Sequence, residues 1–245
     1  LFFINREDDV KKALFCFSLI FLISCEISVN TQMYVSDIIE FMSKKTDKKE
    51  LLFNCNVEFE ISSKEEYDKN PEKYNSMIAD AFIEAKDAHV TDREMKTILS
   101  AKGKVYFTSE KKESEAAVVK ESEEETEEND IRKSVIYFTS DQDEQHLYLY
   151  LNFDKDKYYQ LNSAIKNETY SDIDLKDFNI GIEIQNDMNE PCSITVNTAY
   201  VNNEPVLHNK LFVIDKRDSI AISIPGIFKD YTFQNGRECI LKILK

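Results

Sequence analysis

The sequence predicts an α+β fold dominated by antiparallel sheet: a sandwich or barrel-like sheet with two or three helices inserted in the N-terminal half. Three observations carry this prediction. Apolar runs of period two recur from residue 51 to the C-terminus, with turn signals between them. Helical spacing of apolar residues is concentrated between residues 35 and 102. The 245 residues are 42% hydrophobic and 31% charged, an ordinary globular balance that excludes a wholly disordered chain, a collagen and a multi-span membrane protein.

The elements follow in order. Val35, Ile38, Ile39 and Met42 suggest a short helix, inside an otherwise polar stretch, 25–50, that reads as a tether. In residues 51–61, Phe53, Cys55, Val57, Phe59 and Ile61 alternate with polar residues, the signature of a half-buried strand. Asn70-Pro71 opens a helix, with the amide as cap and proline at the first helical position. Tyr74, Met77, Ile78, Ala81, Phe82 and Ala85 then follow at helical spacing. Thr91-Asp92-Arg93-Glu94 has capping-box form and predicts a second helix carrying Met95, Ile98 and Leu99, ended by Gly103.

Val105-Tyr106-Phe107-Thr108-Ser109 and Ile136-Tyr137-Phe138-Thr139-Ser140 are near copies, each reading as a strand, and could be neighbours. Between them, residues 110–130 hold ten acids and three lysines, a run that cannot bury apolar surface and predicts a disordered acidic loop. Strands then follow at Leu147–Phe153, Phe178–Ile184, Ile194–Tyr200, Val206–Ile214, Ile220–Ile224, Tyr231–Phe233 and Cys239–Leu244, with a short helix over 155–166. Asn202-Asn203 and Asn235-Gly236 predict tight hairpin turns, and 215–218 a four-residue loop. The expected organisation is therefore 1–24 as leader, 25–50 as tether and 51–245 as one mainly-β domain.

The leader carries the clearest functional signal. Lys11 and Lys12 precede an apolar stretch, 13–23, broken only by Ser18. That length suits a signal peptide and falls short of the roughly 20 residues that span a bilayer. Residues 1–9 do not suit a signal peptide, so the true start is placed near Val10. The stretch ends Leu22-Ile23-Ser24-Cys25, which resembles a bacterial lipobox at all four positions. The resemblance implies acylation of the Cys25 thiol by diacylglycerol and cleavage before it. With abundant Lys, Asn, Ile and Glu, the chain also looks like spirochaetal, borrelial-type surface lipoproteins. That likeness covers the leader and the composition, and implies an outer-membrane or surface protein of the cell envelope without enzymatic activity. An acidic body on such an anchor would be repelled by anionic lipid and held off the bilayer by its tether.

Net charge is −15, which argues against a nucleic-acid partner, since phosphate binding needs a basic face. The four glycines lie too far apart for a phosphate loop. His89, His146 and His208 are scattered, without metal-ligand spacing, and no cofactor motif occurs. Asp141-Gln142-Asp143-Glu144 and Asp154-Lys155-Asp156 have cation-ligand chemistry but not the calcium-loop pattern; turn acids are the favoured reading. Cys55 reads as a packed core residue, while Cys192 and Cys239 could pair as a disulfide. Tyr148, Tyr150, Tyr158 and Tyr159 cluster in sequence and could form a protein-binding patch, against the alternative of a strand covered on both faces. The expected function is a lipid-anchored, non-catalytic module that binds an unidentified protein, host proteins being among the candidates. The alternative is a secreted or lipidated hydrolase with a carboxylate or metal site. A third reading, a secreted parasite protein, would be marked by glycan at Asn167.

Overall fold

A computed structural model describes residues 26–43, 50–93, 96–109, 134–169 and 173–244. Among these, thirteen strands form one barrel-like sheet, with five helices over its ends. The strands are β1 (Ile27–Tyr34), β2 (Glu50–Ile61), β3 (Ile83–Arg93), β4 (Lys96–Ser109), β5 (Ile136–Gln142), β6 (His146–Phe153), β7 (Phe178–Gln185), β8 (Cys192–Val196), β9 (Ala199–Val201), β10 (Glu204–Val206), β11 (Lys210–Ile214), β12 (Ser219–Ile224) and β13 (Arg237–Leu244). The helices are α1 (Val35–Met42), α2 (Lys64–Lys69), α3 (Pro71–Ala81), α4 (Lys155–Thr169) and α5 (Gly226–Asn235). The expected α+β class, dominated by a barrel-like sheet, is what the chain forms.

The order across the sheet is β10-β9-β12-β7-β1-β2-β4-β5-β6-β13-β8-β11, and β3 lies beside the first half of β4. Most neighbours are antiparallel, but β1 with β7 and β4 with β5 are parallel. Alternation decides which face goes inward. Ile27, Val29 and Met33 of β1 and Cys55, Val57 and Phe59 of β2 are buried, while Ser28, Asn30, Asn56 and Glu58 face outward. The inward residues of the strands and helices form one apolar core.

The starts of β1, β4 and β7 and the ends of β2, β6 and β12 mark the same end of the barrel, here the proximal end. The Phe153 ring at the end of β6 meets that of Phe178 at the start of β7, with centroids 6.1 Å apart. Helices α4 and α5 close this end: Phe233 of α5 packs edge-on against Phe153 at 5.8 Å and Tyr158 at 4.9 Å. Helix α1, with Val35, Ile38, Phe41 and Met42 buried, covers the opposite, distal end.

Several expectations are corrected. Residues 27–42 are no tether: β1 lies in the middle of the sheet, between β2 and β7. The alternation Ile27, Val29, Thr31, Met33 against Ser28, Asn30, Gln32 is a strand signal despite its polar composition. The domain therefore begins at residue 27 rather than 51. The helix expected after Thr91 is instead the β3–β4 hairpin, with Arg93 opposite Lys96. The Thr97 hydroxyl donates to Asp92 across that hairpin, at 2.8 Å, so the acid serves a turn rather than a helix start. Gly103 sits mid-strand in β4 opposite Cys55.

Asn235-Gly236 is not a hairpin. Residues 226–235 form α5, and Gly236, at φ 97°, ends it by donating its N–H to the Thr232 carbonyl at 2.8 Å. Two helices therefore lie in the C-terminal half: α4, where 155–166 was expected to be helical, and α5, where a strand was expected. The expected strand 194–200 is broken at Thr198 (φ 51°) into β8 and β9. Asn202-Asn203 does turn tightly, with both φ angles positive. The acidic run 110–130 and the leader lie outside the described residues.

Candidate functional site

The outer face of β2-β1-β7-β12-β9 forms a groove of about 600 Å³. Strand register explains its shape. Asn56, Asn30, Gly181, Ser223 and Tyr200 are successive partners in one row across the five strands. The row is low in the middle, where Gly181 has no side chain and Ser223 a short one, and high at Asn56 and Tyr200. A Cβ at Gly181 would lie 2.2 Å from Asn30 Oδ1, so the Asn30 amide lies across the space that only glycine leaves open.

Almost every group facing this groove is neutral and able to donate or accept. Asn30 Nδ2 donates to Ser28 Oγ at 3.2 Å, and Gln32 Nε2 to Gln185 Oε1 at 3.1 Å. Glu183 is the acid of the lining, and its Oε1 accepts from Ser219 Oγ at 2.9 Å. The turn Asn202-Asn203 overhangs one side. Asn202 locks it onto β12, donating its N–H to the Ala221 carbonyl at 2.8 Å and accepting the Ala221 N–H on Oδ1 at 3.0 Å. Tyr200, 44% exposed, is the aromatic wall. Sequence reasoning missed this site because its residues are ordinary polar positions on five separate strands and a turn. The alternation of β1 and β7 was the available signal.

The four tyrosines singled out from the sequence do not form one patch. Tyr148 and Tyr150 lie on the outer face of β6, their rings stacked with centroids 6.5 Å apart. Lys242 and Arg237 of β13 lie over them, at 5.3 Å and 4.5 Å from the respective ring centres. Tyr158 points inward from α4, buried, its hydroxyl donating to the Ile173 carbonyl at 2.8 Å. Tyr159 is exposed beside Phe233. Helical geometry sends residues 158 and 159 about 100° apart, so a sequence cluster is divided between core and surface.

The turn acids serve the backbone. Asp143 Oδ1 accepts the N–H groups of Gln145 and His146 at 2.8 and 2.7 Å, and Oδ2 accepts from the Tyr148 hydroxyl at 2.6 Å. These bonds, the tyrosine's first, hold the Asp143 carboxyl well below the usual carboxylate range and push the Tyr148 phenol up to about 12. Asp154 Oδ1 caps α4 through the Lys157 N–H at 3.1 Å. His89 and His208 are exposed, and His146 Nδ1 lies 3.4 Å from Asp143. Among the described residues no group of three acids, histidines or cysteines is placed to hold a metal ion.

Cys55, Cys192 and Cys239 are free thiols. The Cys192–Cys239 bridge that the sequence left open is not formed. Register pairs Ile194 with Ile243 and Val196 with Leu241, which sets the two cysteines at opposite ends of the β8–β13 ladder. That offset is about 20 Å at 3.3 Å per residue, far beyond bonding reach. Burial raises the thiol pKa to about 12 at Cys55 and about 11 at Cys192 and Cys239.

No helix of the described residues is long and apolar enough to cross a membrane. A family model described as a domain of unknown function, DUF7424, matches residues 27–243. No curated protein and no solved structure matches the chain.

Proposed function

The chain belongs to the DUF7424 family, and from that premise we propose that it is a lipid-anchored, non-catalytic binding module of a bacterial envelope. Its anchor is the Cys25 thiol, and its recognition surface is the groove built around Gly181. The observation that carries the binding role is the lining of that groove: amides, hydroxyls, one tyrosine and a single carboxylate, Glu183, which is engaged by Ser219, all set on the sheet face. Such groups recognise neutral, hydrogen-bonding ligands by geometry. An extended segment of a partner protein, with one backbone donor and acceptor per residue, meets that requirement.

The anchor rests on the Leu22-Ile23-Ser24-Cys25 exit from the apolar leader. One acyl chain holds a protein to a bilayer only marginally, and a diacylated cysteine carries two. Two experiments test the halves separately. Mass spectrometry of the mature N-terminus should find a diacylglyceryl Cys25; cleavage elsewhere, or an unmodified thiol, refutes the anchor. For the groove, binding of envelope or host proteins to the wild-type chain is compared with that of Asn30→Asp and Tyr200→Ala. Both variants should lose the partner while keeping the fold, and unchanged capture by both refutes this surface.

A further inference from the structure

We infer that the proximal end of the barrel, through helices α4 and α5, is a bilayer-contacting face, and that the protein lies end-on against the lipid rather than at a distance from it. This rests on the Cys25 anchor proposed above and adds an orientation that the anchor alone does not dictate.

The first observation is the length of the connection. Cys25 is followed by Glu26 and then by Ile27, whose backbone is already paired with β2 and β7. Glu26 is itself tied down. Its carbonyl accepts the Glu60 N–H at 3.0 Å, and its carboxylate lies 2.9 Å from Lys96 Nζ. An extended chain covers at most about 3.6 Å per residue. A lipidated cysteine at position 25 therefore holds the proximal end within a few ångströms of the headgroups. The expected stand-off has no chain to provide it.

The second observation is what that end exposes. Ile227 and Tyr231 of α5 are 77% and 54% exposed. They stand four residues apart and share one helix face. Phe228, Lys229 and Thr232 on the other face are buried. Tyr159 of α4, 58% exposed, packs its ring 5.9 Å from Phe233 of the same α5. Isolated exposed apolar residues are common, but Ile227 and Tyr231 on one flank of α5, and Tyr159 beside Phe233 on another, all belong to the two helices that cover the end from which the chain leaves for Cys25. Tyrosine suits the headgroup region because its ring is apolar and its hydroxyl wet. Lys155, lying over Phe233, and exposed Lys176, ion-paired with Asp174 at 3.1 Å, put long cationic side chains beside the helices.

Charge fits the same orientation. The chain carries −15, but acids and bases are nearly balanced in residues 154–177 and 225–237. Helices α4 and α5 with their flanking residues thus carry little net charge, so an anionic bilayer repels them little.

The sequence contains no tryptophan, which gives a clean reporter. The full chain, made in a lipidating bacterial host, is reconstituted into phosphatidylcholine vesicles with brominated acyl chains. Single variants Ile227→Trp, Tyr231→Trp and Tyr159→Trp report from the proximal end. Val213→Trp, at an exposed position near the distal end of β11, is the reference. All four sites are on the surface, and circular dichroism confirms the fold of each variant. Reporters seated at the boundary of headgroup and acyl chain should be quenched at least about threefold more than the reference. Equal quenching at all four sites, with lipid on Cys25 shown by mass spectrometry, overturns the orientation and leaves the anchor standing. An unmodified Cys25 overturns both.

Discussion

The Lys229 ammonium is buried inside the proximal end, where it donates a hydrogen bond to the main-chain carbonyl of Phe178. A second carbonyl, that of Lys176, lies 3.3 Å away. The lysine thus ties α5 to the start of β7 through backbone oxygens, with no carboxylate at bonding distance among the described residues.

Burial lowers the Lys229 pKa from 10.5, against an opposing pull from Asp230, Asp177 and Asp174. Between the lowered folded-state value and 10.5 the unfolded chain binds the additional proton, so stability rises with pH through that window. Below the window the full cost of the buried charge is present. Urea unfolding of wild type and Lys229→Met across neutral to alkaline pH should show a wild-type-minus-variant difference that climbs toward alkaline pH. A flat difference would sink the assignment.

Asn30 and Gly181 should be energetically coupled. Gly181→Ala forces the Asn30 amide out of its seat, yet that amide can swing into solvent, so the single change should cost under about 1 kcal/mol. In an Asn30→Ala background the same change should be neutral or slightly stabilising, because alanine restricts the unfolded chain. A double-mutant cycle by denaturant unfolding should give about 0.5–1 kcal/mol of coupling; additivity would mean the amide does not lie over the glycine.

Gly236→Ala should destabilise the domain by about 1–2 kcal/mol. The substituted Cβ meets nothing within 4 Å, so the cost is the backbone strain of φ 97° alone. Thermal melting of Gly236→Ala beside Gly236→Asn tests this. Asparagine tolerates a left-handed end better and should recover part of the loss.

Tyr148 should titrate near pH 12, and Asp143→Asn should return it toward 10.0, because the carboxylate is the main cause of the shift. Ring-labelled tyrosine NMR, with the resonance assigned through Tyr148→Phe, reads this directly. An unchanged midpoint in Asp143→Asn would show that the hydrogen bond is not formed.

The three thiols of the domain should resist alkylation at neutral pH, since the thiolate is the nucleophile and burial raises each pKa to about 11 or 12. Iodoacetamide should label them in strong denaturant and label Cys55 least in the native state. Rapid native labelling of Cys55 would contradict its 3% exposure.

Which parts of this structure were legible depends on how local their cause is. The twin segments around Phe107 and Phe138 were readable as strands because alternation is local. They lie side by side in parallel, Tyr106 opposite Tyr137 and Phe107 opposite Phe138, and both phenylalanines are buried. The Asn70-Pro71 start was readable for the same reason, and the Asn70 side chain accepts the Lys73 N–H at 3.4 Å. Thr91-Asp92-Arg93-Glu94 misled because a capping box and a polar hairpin share residue types. Pairing with β2 along the length of β4 decided in favour of strand. Asn235-Gly236 misled because glycine with positive φ serves a hairpin and a helix end equally well. Phe228 and Thr232 buried on one side of α5 decided between them.

From the sequence alone came the α+β class, the alternating strands, the acidic balance and the apolar run 13–23 before Cys25, all products of local pattern and composition. Tertiary structure decided that β1 is a central strand rather than a tether, that two strand pairs run parallel, and that Cys192 and Cys239 lie apart. It also brought Asn56, Asn30, Gly181, Ser223 and Tyr200 into one row. The reason is register. A strand's own residues determine which face is apolar, but its neighbours and their alignment are chosen by the packing of the whole core.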